Sequence, residues 1–346
     1  MIRLGIFFGG RSGEHEVSLM SATSVINAVN KDRFQVVPIG ITREGKWFFY
    51  DGPVEKIEDG SWQGEPEMTV VAGLGSLKER IDFALPILHG PYGEDGTIQG
   101  LFEMLDLPYG GCGVTGSALA MDKILAKTVF AQGNLPQGPY VPVIRDELEQ
   151  QQEVVLEKIE RTLSYPMFVK PANMGSSVGI SKVKDSSGIK DALKEAAKHD
   201  RRILVEEGIN CRELETAILG NFDAKASGVG EIVPSAEFYN YQAKYFDGGQ
   251  SKLCIPADIS DEIAEEIRSI ALSAYQLLDC SGFARVDFFL EKETNKVYIN
   301  EINTIPGFTR FSMFPLLWEQ AGLAYPKLIE RIVMLGYERY NAKNNR

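Results

Sequence analysis

Residues 282–307 read GFARVDFFLEKETNKVYINEINTIPG, which is the pattern of a β-hairpin. Branched and aromatic residues dominate 286–291 and 296–303, and a short polar run typical of a turn separates them. Because side chains alternate between the two faces of a strand, such a pairing gathers every second residue of both runs on one surface. The charged residues inside these runs therefore indicate what that surface binds.

Three oxygen-bearing side chains converge on one face of this hairpin. With the turn centred near residue 294, Asp287 and Glu301 lie seven residues to either side and face each other, and Asn303 shares their face. Facing carboxylates repel unless a cation lies between them, and an all-oxygen set suits Mg²⁺, which completes its shell with waters and nucleotide phosphates. The alternative is a solvated hairpin, but both carboxylates lie inside apolar runs. The hairpin therefore predicts a magnesium site, with Arg285 on the same face.

Composition predicts a globular, multidomain protein of the cytoplasm. The chain has 346 residues, enough for two or three domains, with 44% hydrophobic and 24% charged residues. A net charge of −12 argues against nucleic acid or an anionic membrane as the main partner. The first ten residues contain too short an apolar run for a signal peptide, and no stretch approaches the length of a membrane span. The cysteines lack CxxC spacing and are predicted to be reduced thiols: Cys112, Cys211, Cys254 and Cys280.

The first third of the chain opens like an α/β nucleotide fold. A strand over residues 2–8 runs into two glycines and then a helix over 17–29, but GxGxxG is missing, which disfavours a dinucleotide oxidoreductase. Glu14 and Glu16 lie near the start of that helix, where its dipole favours carboxylates, so a structural role explains either residue as well as a functional one. The polar residues 51–66 are predicted to form a surface excursion.

A second strand of this part, residues 83–88, runs into the segment HGPYGEDGT and a helix over 98–105. His89 then lies at the carboxyl end of a strand, where α/β folds place ligand sites. A lone histidine is more often structural, and the surrounding glycines make the two readings about equally supported.

The middle third predicts a phosphate loop. A helix over 118–127 begins a new unit, and a later strand ends in Lys170, directly before NMGSSVGI at 173–180. Glycines and serines supply N–H and hydroxyl donors to phosphate, although the order is not that of a Walker A loop. A plain Gly-Ser turn would explain the loop alone, but the lysine beside it favours a phosphate contact, because an apolar strand rarely holds an ammonium without an anion.

The last third supplies a hinge, a lid and the hairpin. A strand over 202–209 ends in a hinge-like turn, and a strand from Glu213 starts the third unit. Residues 236–258 are long, polar and aromatic, which is typical of a functional lid. A helix over 261–278 leads into the hairpin, and structural helices are predicted over 315–340.

Seven motifs in chain order closely resemble those of the D-alanine–D-alanine ligase family, ATP-grasp enzymes of bacterial cell-wall synthesis. The motifs are GGRSGEHEVS at 9–18, HGPYGEDGTIQG at 89–100, AMDK at 120–123, FVKPANMGSSVG at 168–179, FYNYQAKY at 238–245, RVD at 285–287 and NEINTIPG at 300–307. The resemblance covers nearly the whole chain, and its implied activity is the ATP-dependent ligation of two D-alanines through an acyl phosphate.

The resemblance implies an α/β (α+β) fold of three domains. Residues 1–121 would form an N-terminal, nucleotide-fold-like (pre-ATP-grasp) substrate domain, 122–209 the central ATP-grasp subdomain, and 210–346 the C-terminal catalytic domain. ATP would lie between the antiparallel sheets of the last two. The implied partners are D-alanine and ATP, the implied assembly is a homodimer, and the implied metal is Mg²⁺, as two ions for which Mn²⁺ can substitute.

Carried over position by position, the resemblance assigns four groups of residues. The ATP-binding residues are Lys123, Lys170, Ser176, Ser177, Glu206, Glu207, Ile209, Glu213 and Lys244. The metal ligands are Asp287, Glu301 and Asn303, in agreement with the hairpin. The substrate-binding residues are Glu14, His89, Gly307, Ser312 and Met313. The catalytic residues are Glu14, Ser176, Tyr245, Arg285 and Ser312, of which Glu14, Ser176 and Tyr245 would fasten the long loop over the site.

Three rival interpretations remain. Another ATP-grasp carboxylate–amine ligase would share these motifs, and family members that make D-Ala–D-lactate or D-Ala–D-serine differ around the loop tyrosine, where Lys244 and Tyr245 match the D-alanine pattern. A nucleotide-binding regulatory module would not need the complete set of Lys170, Arg285, Asp287, Glu301 and Asn303. A dinucleotide oxidoreductase is disfavoured because this chain lacks the glycine fingerprint of that class.

Overall fold

A computed structural model describes residues 1–175, 178–233 and 252–344. Within these ranges the strands form three sheets, two of five strands and one of four, flanked by helices. The predicted α/β (α+β) fold class is confirmed. Among the helices of these ranges, none combines the length and the apolar character that a bilayer crossing requires.

The first sheet has the strand order β4-β3-β2-β1-β5. Strand β1 pairs in parallel with β2 and β5, whereas the β2–β3 and β3–β4 pairs are antiparallel. Its strands are β1 (Ile2–Gly9), β2 (Phe34–Ile41), β3 (Trp47–Tyr50), β4 (Met68–Val70) and β5 (Phe83–Pro86). Its helices are α1 (His15–Ala28), α2 (Glu55–Glu58), α3 (Gly75–Arg80) and α4 (Thr97–Met104). The apolar run of β1 is buried on both faces, as expected for a strand that has a parallel neighbour on each side and is covered by helices. Its carboxyl end delivers the chain to the loop that carries Glu14.

The predicted surface excursion over residues 51–66 is confirmed for most of its side chains, which are exposed or partly exposed, but two side chains attach the segment to the core. Ile57 and Trp62 are fully buried in the main core. The Trp62 ring packs edge-on against Phe8, with 5.1 Å between ring centroids, and the absence of a side chain at Gly40 leaves room for it. Polar turn residues dominate the composition here, so two long-range apolar contacts were hidden from the local pattern.

The second sheet is antiparallel throughout, with the order β6-β9-β7-β8. Its strands are β6 (Tyr140–Ile144), β7 (Met167–Pro171), β8 (Ser181–Val183) and β9 (Arg202–Glu207). The helices of this part of the chain are α5 (Val114–Met121), α6 (Lys123–Gln132), α7 (Arg145–Gln150), α8 (Gln152–Thr162) and α9 (Ile189–His199). One core joins the apolar faces of β6, β7 and β9 to α8 and α9. The opposite face of the sheet is left for the cleft.

The single helix predicted over 118–127 is divided in two at Asp122. The Asp122 carboxylate accepts the backbone N–H groups of Ile124 and Leu125 and so caps α6, and it also pairs with Arg202 on β9. Side-chain capping competes with continued helix formation, which explains the break. The cap fixes the direction in which α6 sends its lysines.

The third sheet is also antiparallel, with the order β12-β11-β10-β13-β14. Its strands are β10 (Cys211–Gly220), β11 (Lys225–Val233), β12 (Lys252–Cys254), β13 (Gly282–Glu291) and β14 (Val297–Asn303). The remaining helices of the described residues are α10 (Asp261–Leu277), α11 (Met313–Gln320) and α12 (Tyr325–Asn344). The predicted helix over 261–278 and the hairpin are both confirmed.

The hairpin register has a feature that the sequence pattern did not predict. Near the turn, Leu290 pairs with Val297, a register that would set Asp287 opposite Asn300. The register shifts between Asp287 and Phe288, so Asn300 is the extra residue and Asp287 pairs with Glu301. A one-residue bulge moves every following side chain to the other face of the strand. The predicted pairing of Asp287 with Glu301 is therefore confirmed, and the bulge produces it.

Candidate active site

A cleft of about 770 Å³ separates the second and third sheets, within the usual size range of a small-ligand site. One wall consists of β7 and β9, the other of the hairpin β13–β14, and the connection 208–210 between β9 and β10 closes one end. Loops of the first sheet reach the other end through Glu14, His89 and Glu94. All three sheets thus contribute to one cavity.

Two lysines and one glutamate form a buried ion cluster on the wall of the second sheet. The Nζ of Lys127 lies 2.7 Å from one carboxylate oxygen of Glu206, and the Nζ of Lys170 pairs with the other. Burial acts to raise the pKa of Glu206, but attraction to the two lysines outweighs it and holds that pKa at about 2. Burial likewise opposes the charge of Lys170, and attraction to Glu206 prevails and raises its pKa. Two cations against one anion leave a net positive charge that suits phosphate.

Lys127 was not predicted as a site residue. It lies one helical turn after the predicted Lys123 on α6, so both project from the same face of that helix. The Nζ of Lys123 donates to the backbone carbonyl of Met174 at 2.6 Å and lies 3.8 Å from Glu301. Lys123 therefore links the predicted phosphate loop to the hairpin. The i, i+4 spacing of the lysines was the signal that could have identified Lys127.

Three carboxylates stand in register across neighbouring strands of the third sheet. Glu215 on β10 pairs with Asp287 on β13, which pairs with Glu301 on β14. Arg285 donates two hydrogen bonds of 2.7 Å to Asp287, and its Nε lies 3.0 Å from Glu215. Glu215 was not among the predicted site residues. The row of like charges is held together by the arginine between them, because their mutual repulsion would otherwise oppose folding.

The predicted metal ligands fit Mg²⁺ in chemistry and in position. Asp287 and Glu301 are directly opposite each other, and the Asn303 amide nitrogen donates to Asp287 at 3.0 Å, which brings its amide group to the same spot. No group of three or more His, Cys, Asp or Glu in the described ranges is arranged to hold a metal, and the predicted set differs from such a group in having two carboxylates and one amide. Since Mg²⁺ keeps several waters and binds phosphate oxygens, few protein ligands suffice.

At the other end of the cleft, the Glu14 carboxylate is enclosed by backbone. It lies between Gly90 and Gly175, where a Cβ on either glycine would collide with it. Glu94, which was not predicted, accepts the backbone N–H groups of Gly90 at 2.9 Å and Ile305 at 3.2 Å. Burial and repulsion from Glu14 raise the pKa of Glu94 to about 8. The glycine-rich setting of Glu94 within HGPYGEDG was the signal for it.

His89 has both ring nitrogens engaged by the protein. Nδ1 lies 2.9 Å from the carbonyl oxygen of Ile305, and Nε2 lies 3.0 Å from the hydroxyl of Ser21. Burial lowers the pKa of His89 to about 4, so the ring is neutral at neutral pH. The ring borders the cleft as predicted, and its contact with a substrate stays a prediction.

The residues predicted for the second substrate lie around one loop. Ser312 directly precedes α11, and its hydroxyl accepts the backbone N–H of Thr309 at 3.1 Å. Gly307 borders the cleft and lies against Ser312, whereas the Met313 side chain is buried in the core. Of these three residues, Gly307 is the one that borders the cleft, and the predicted roles of Ser312 and Met313 stay predictions.

Several of the residues predicted to bind ATP lie along the closed end of the cleft. Ile209 and Glu213 border the cleft. Glu207 also borders it, and its carboxylate accepts the backbone N–H of Ser164 at 2.7 Å. Ser176, Ser177, Lys244 and Tyr245 lie outside the described residues, as does most of the predicted lid.

Two antiparallel sheets that face each other across a cleft, with buried lysines on one wall and a carboxylate hairpin on the other, define an ATP-grasp enzyme. Family models agree with this class. The model described as D-ala D-ala ligase N-terminus matches residues 3–112, and the model described as D-ala D-ala ligase C-terminus matches residues 129–334. The chain belongs to the D-alanine–D-alanine ligase family.

Individual relatives cover almost the full chain. The D-alanine–D-alanine ligase of Acetivibrio thermocellus is 50% identical, over 98% of this chain and 96% of its own length. That of Thermoanaerobacter sp. is also 50% identical, over 99% and 98%. Among solved structures, the VanG D-Ala:D-Ser ligase from Enterococcus faecalis superposes with a TM-score of 0.87 at 36% identity, covering 97% of this chain and 99% of its own. The D-alanine–D-alanine ligase from Coxiella burnetii gives 0.83 at 34% identity, covering 99% and 96%.

The ion cluster on β9 predicts a specific pH dependence of stability. Glu206→Gln should lower the free energy of unfolding by about 3–5 kcal/mol at neutral pH, because Lys127 and Lys170 lose a buried partner. The folded pKa of Glu206 is about 2, below the unfolded value near 4.5, so the wild-type advantage is complete above about pH 4.5 and shrinks as the pH falls toward 2. Urea unfolding between about pH 7 and pH 3 measures the difference.

Glu157→Gln is the matched control, because Glu157 is exposed on α8. It should stay within about 0.5 kcal/mol of the wild type at every pH. A constant difference between Glu206→Gln and the wild type down to the acid limit would contradict the ion cluster.

Proposed function

We propose that this chain joins two molecules of D-alanine to D-alanyl-D-alanine, with ATP converted to ADP and phosphate, for peptidoglycan precursor synthesis. Family membership over nearly the whole chain supports the reaction. The single observation that carries it is the pairing of Asp287 with Glu301 at the cleft that also holds Lys123 and Lys170. A carboxylate pair and buried ammonium groups around one cavity suit phosphoryl transfer, which depends on positioning and charge neutralisation.

We also propose that the chain divides into domains at residues 1–121, 122–209 and 210–346. Each range contains one complete sheet, and Asp122, with its helix cap, stands at the first boundary. A cytoplasmic location is consistent with free thiols at the four cysteines. A homodimer is proposed from the family resemblance.

The first step of the proposed reaction transfers the γ-phosphate of ATP to the carboxylate of the first D-alanine. Glu14 would hold the ammonium group of that D-alanine, and Lys123 and Lys170 would neutralise the phosphates. The adenine would lie at residues 206–209 and the ribose at Glu213. Mg²⁺, as two ions bound by Asp287, Glu301 and Asn303, would add charge neutralisation on the phosphate oxygens, and Mn²⁺ could take its place.

The second step consumes the acyl phosphate. The amine of the second D-alanine attacks the acyl carbon, a C–N bond forms, the C–O bond to phosphate breaks, and phosphate leaves. Arg285 would stabilise the oxyanion that develops in between. Gly307 and Ser312 would hold the second carboxylate, with Met313 contributing through its backbone.

Water must be excluded from the acyl phosphate. We assign that task to the segment predicted as a lid, in which Tyr245 would bond with Ser176 and Glu14. Lys244, Ser176 and Ser177 would contact the phosphates. These assignments rest on the sequence motifs, since all but Glu14 lie outside the described residues.

The choice of second substrate is the main test of the proposed function. With ATP, Mg²⁺ and an equal mixture of D-alanine and D-serine, mass spectrometry should find D-alanyl-D-alanine as the principal product, together with equimolar ADP and phosphate. The similarity to a D-Ala:D-Ser ligase makes D-alanyl-D-serine the specific alternative. If D-alanyl-D-serine is the main product, the proposed specificity for D-alanine as the second substrate is wrong. If AMP and pyrophosphate form instead of ADP and phosphate, the proposed reaction class is wrong.

Glu301→Gln tests the hairpin site. The substitution keeps the shape and removes one ligand charge, so turnover at limiting Mg²⁺ should fall roughly a hundredfold or more while the fold survives. The control Glu293→Gln lies in the exposed turn of the same hairpin and should retain wild-type turnover. Steady-state phosphate release across a magnesium titration measures both, and near wild-type behaviour of Glu301→Gln would remove the hairpin from the mechanism.

A further inference from the structure

A chain of hydrogen bonds connects α1 to the loop that follows the hairpin. The hydroxyl of Ser21 lies 3.0 Å from Nε2 of His89 and 3.4 Å from the backbone nitrogen of Phe308. On the other side of the ring, Nδ1 lies 2.9 Å from the carbonyl oxygen of Ile305. The partners are far apart in the sequence, so the contacts join the first sheet to the third.

The donors and acceptors of this chain admit one arrangement for a neutral ring. The Ile305 carbonyl can only accept, so Nδ1 must carry the proton, and Nε2 is then an acceptor. Ser21 must therefore donate its hydroxyl proton to Nε2, and its oxygen accepts the N–H of Phe308. Each donor in the chain then has one acceptor, and the Ser21 hydroxyl both donates and accepts. The histidine tautomer is thus fixed by the backbone of the loop.

Burial makes the arrangement costly to lose. Ser21 is fully buried and His89 is 3% exposed, so water does not replace a missing partner. A buried polar group left without a hydrogen bond costs about 1–3 kcal/mol, more than the bond itself contributes. Removing the Ser21 hydroxyl would leave both Nε2 of His89 and the N–H of Phe308 without this partner.

The loop that these hydrogen bonds hold contains Gly307, and the bonds to Ile305 and Phe308 lie on either side of it. Ile305 is fixed through both backbone groups, since Glu94 accepts its N–H at 3.2 Å and His89 donates to its carbonyl. Ser21 belongs to the same helix that Glu14 precedes, two turns farther along. One rigid helix therefore sets the distance between Glu14 and the loop around Gly307.

We infer that Ser21 is a positioning residue for the ligation: through His89 and Phe308 it holds the loop at Gly307 at a fixed distance from Glu14. This inference rests on the proposed function, in which the two sites bind the two D-alanines. Aligning the attacking amine with the acyl carbon depends on that distance, because small errors in orientation cost large factors in rate. Ser21 touches neither substrate, and it acts through its two partners.

The kinetic test compares Ser21→Ala with Ser24→Ala. Among the described residues, the Ser24 hydroxyl bonds only to the Met20 carbonyl within α1, so its loss should leave every parameter unchanged. Ser21→Ala should raise the KM of the second D-alanine about tenfold, with the KM values of ATP and of the first D-alanine unchanged. An equal rise in all three KM values, or no rise in any of them, would overturn the positioning role. If Ser21→Ala fails to fold, Ser21→Cys keeps the size with a weaker donor and should give a smaller change of the same pattern.

The structural test needs no substrate. Long-range ¹H–¹⁵N spectra of histidine-labelled protein should contain three imidazole systems, and variants His15→Gln and His199→Gln identify that of His89. His89 should be the Nδ1–H tautomer at neutral pH and should change in Ser21→Ala but not in Ser24→Ala. An Nε2–H tautomer or a charged ring would overturn the inference. Failure of the wild type to ligate D-alanine would count against the proposed function alone, since the tautomer is measured independently.

Discussion

The bulge at Asn300 is the constraint on which the site depends. Without it, the register set by the turn would place Asn300 opposite Asp287 and turn Glu301 to the other face of β14. With it, Glu215, Asp287 and Glu301 stand side by side on three adjacent strands. A row of three carboxylates in a half-buried setting is unfavourable by itself. The fold therefore has to supply cations, and those cations are the groups that the proposed chemistry uses.

The compensation comes from both walls of the cleft. Arg285 bridges Glu215 and Asp287 from within the third sheet, and Lys123 approaches Glu301 from α6. Lys127 and Lys170 share Glu206 nearby. An acidic protein of net charge −12 thus places several ammonium groups at one cavity, where they supply local positive charge for an anionic ligand. Of these ion pairs, that of Lys123 with Glu301 crosses the cleft, and the others lie within one wall.

Sequence reasoning found the elements whose signals are local. The strands of the hairpin and the helix 261–278 follow from periodicity and turn residues. The facing pair of Asp287 and Glu301 was also predicted, but the bulge is what produces it. Burial of Trp62 was missed because its partners lie on other strands. Glu94 and Ser21 were missed because the contacts that join them to the loop after the hairpin span 211 and 287 residues of sequence. The bulge was also invisible, since one extra residue in a strand has no signature in an apolar run.

The central claim is that the cleft activates a carboxylate by phosphoryl transfer from ATP. It is tested most directly with D-alanine that carries ¹⁸O in both carboxylate oxygens. If the carboxylate attacks the γ-phosphate and the amine then displaces phosphate, one ¹⁸O per dipeptide must appear in inorganic phosphate. We predict that stoichiometry, measured by the isotope shift in the ³¹P spectrum. Phosphate without ¹⁸O, formed alongside D-alanyl-D-alanine, would contradict an acyl phosphate and with it the role assigned to the hairpin and the lysines.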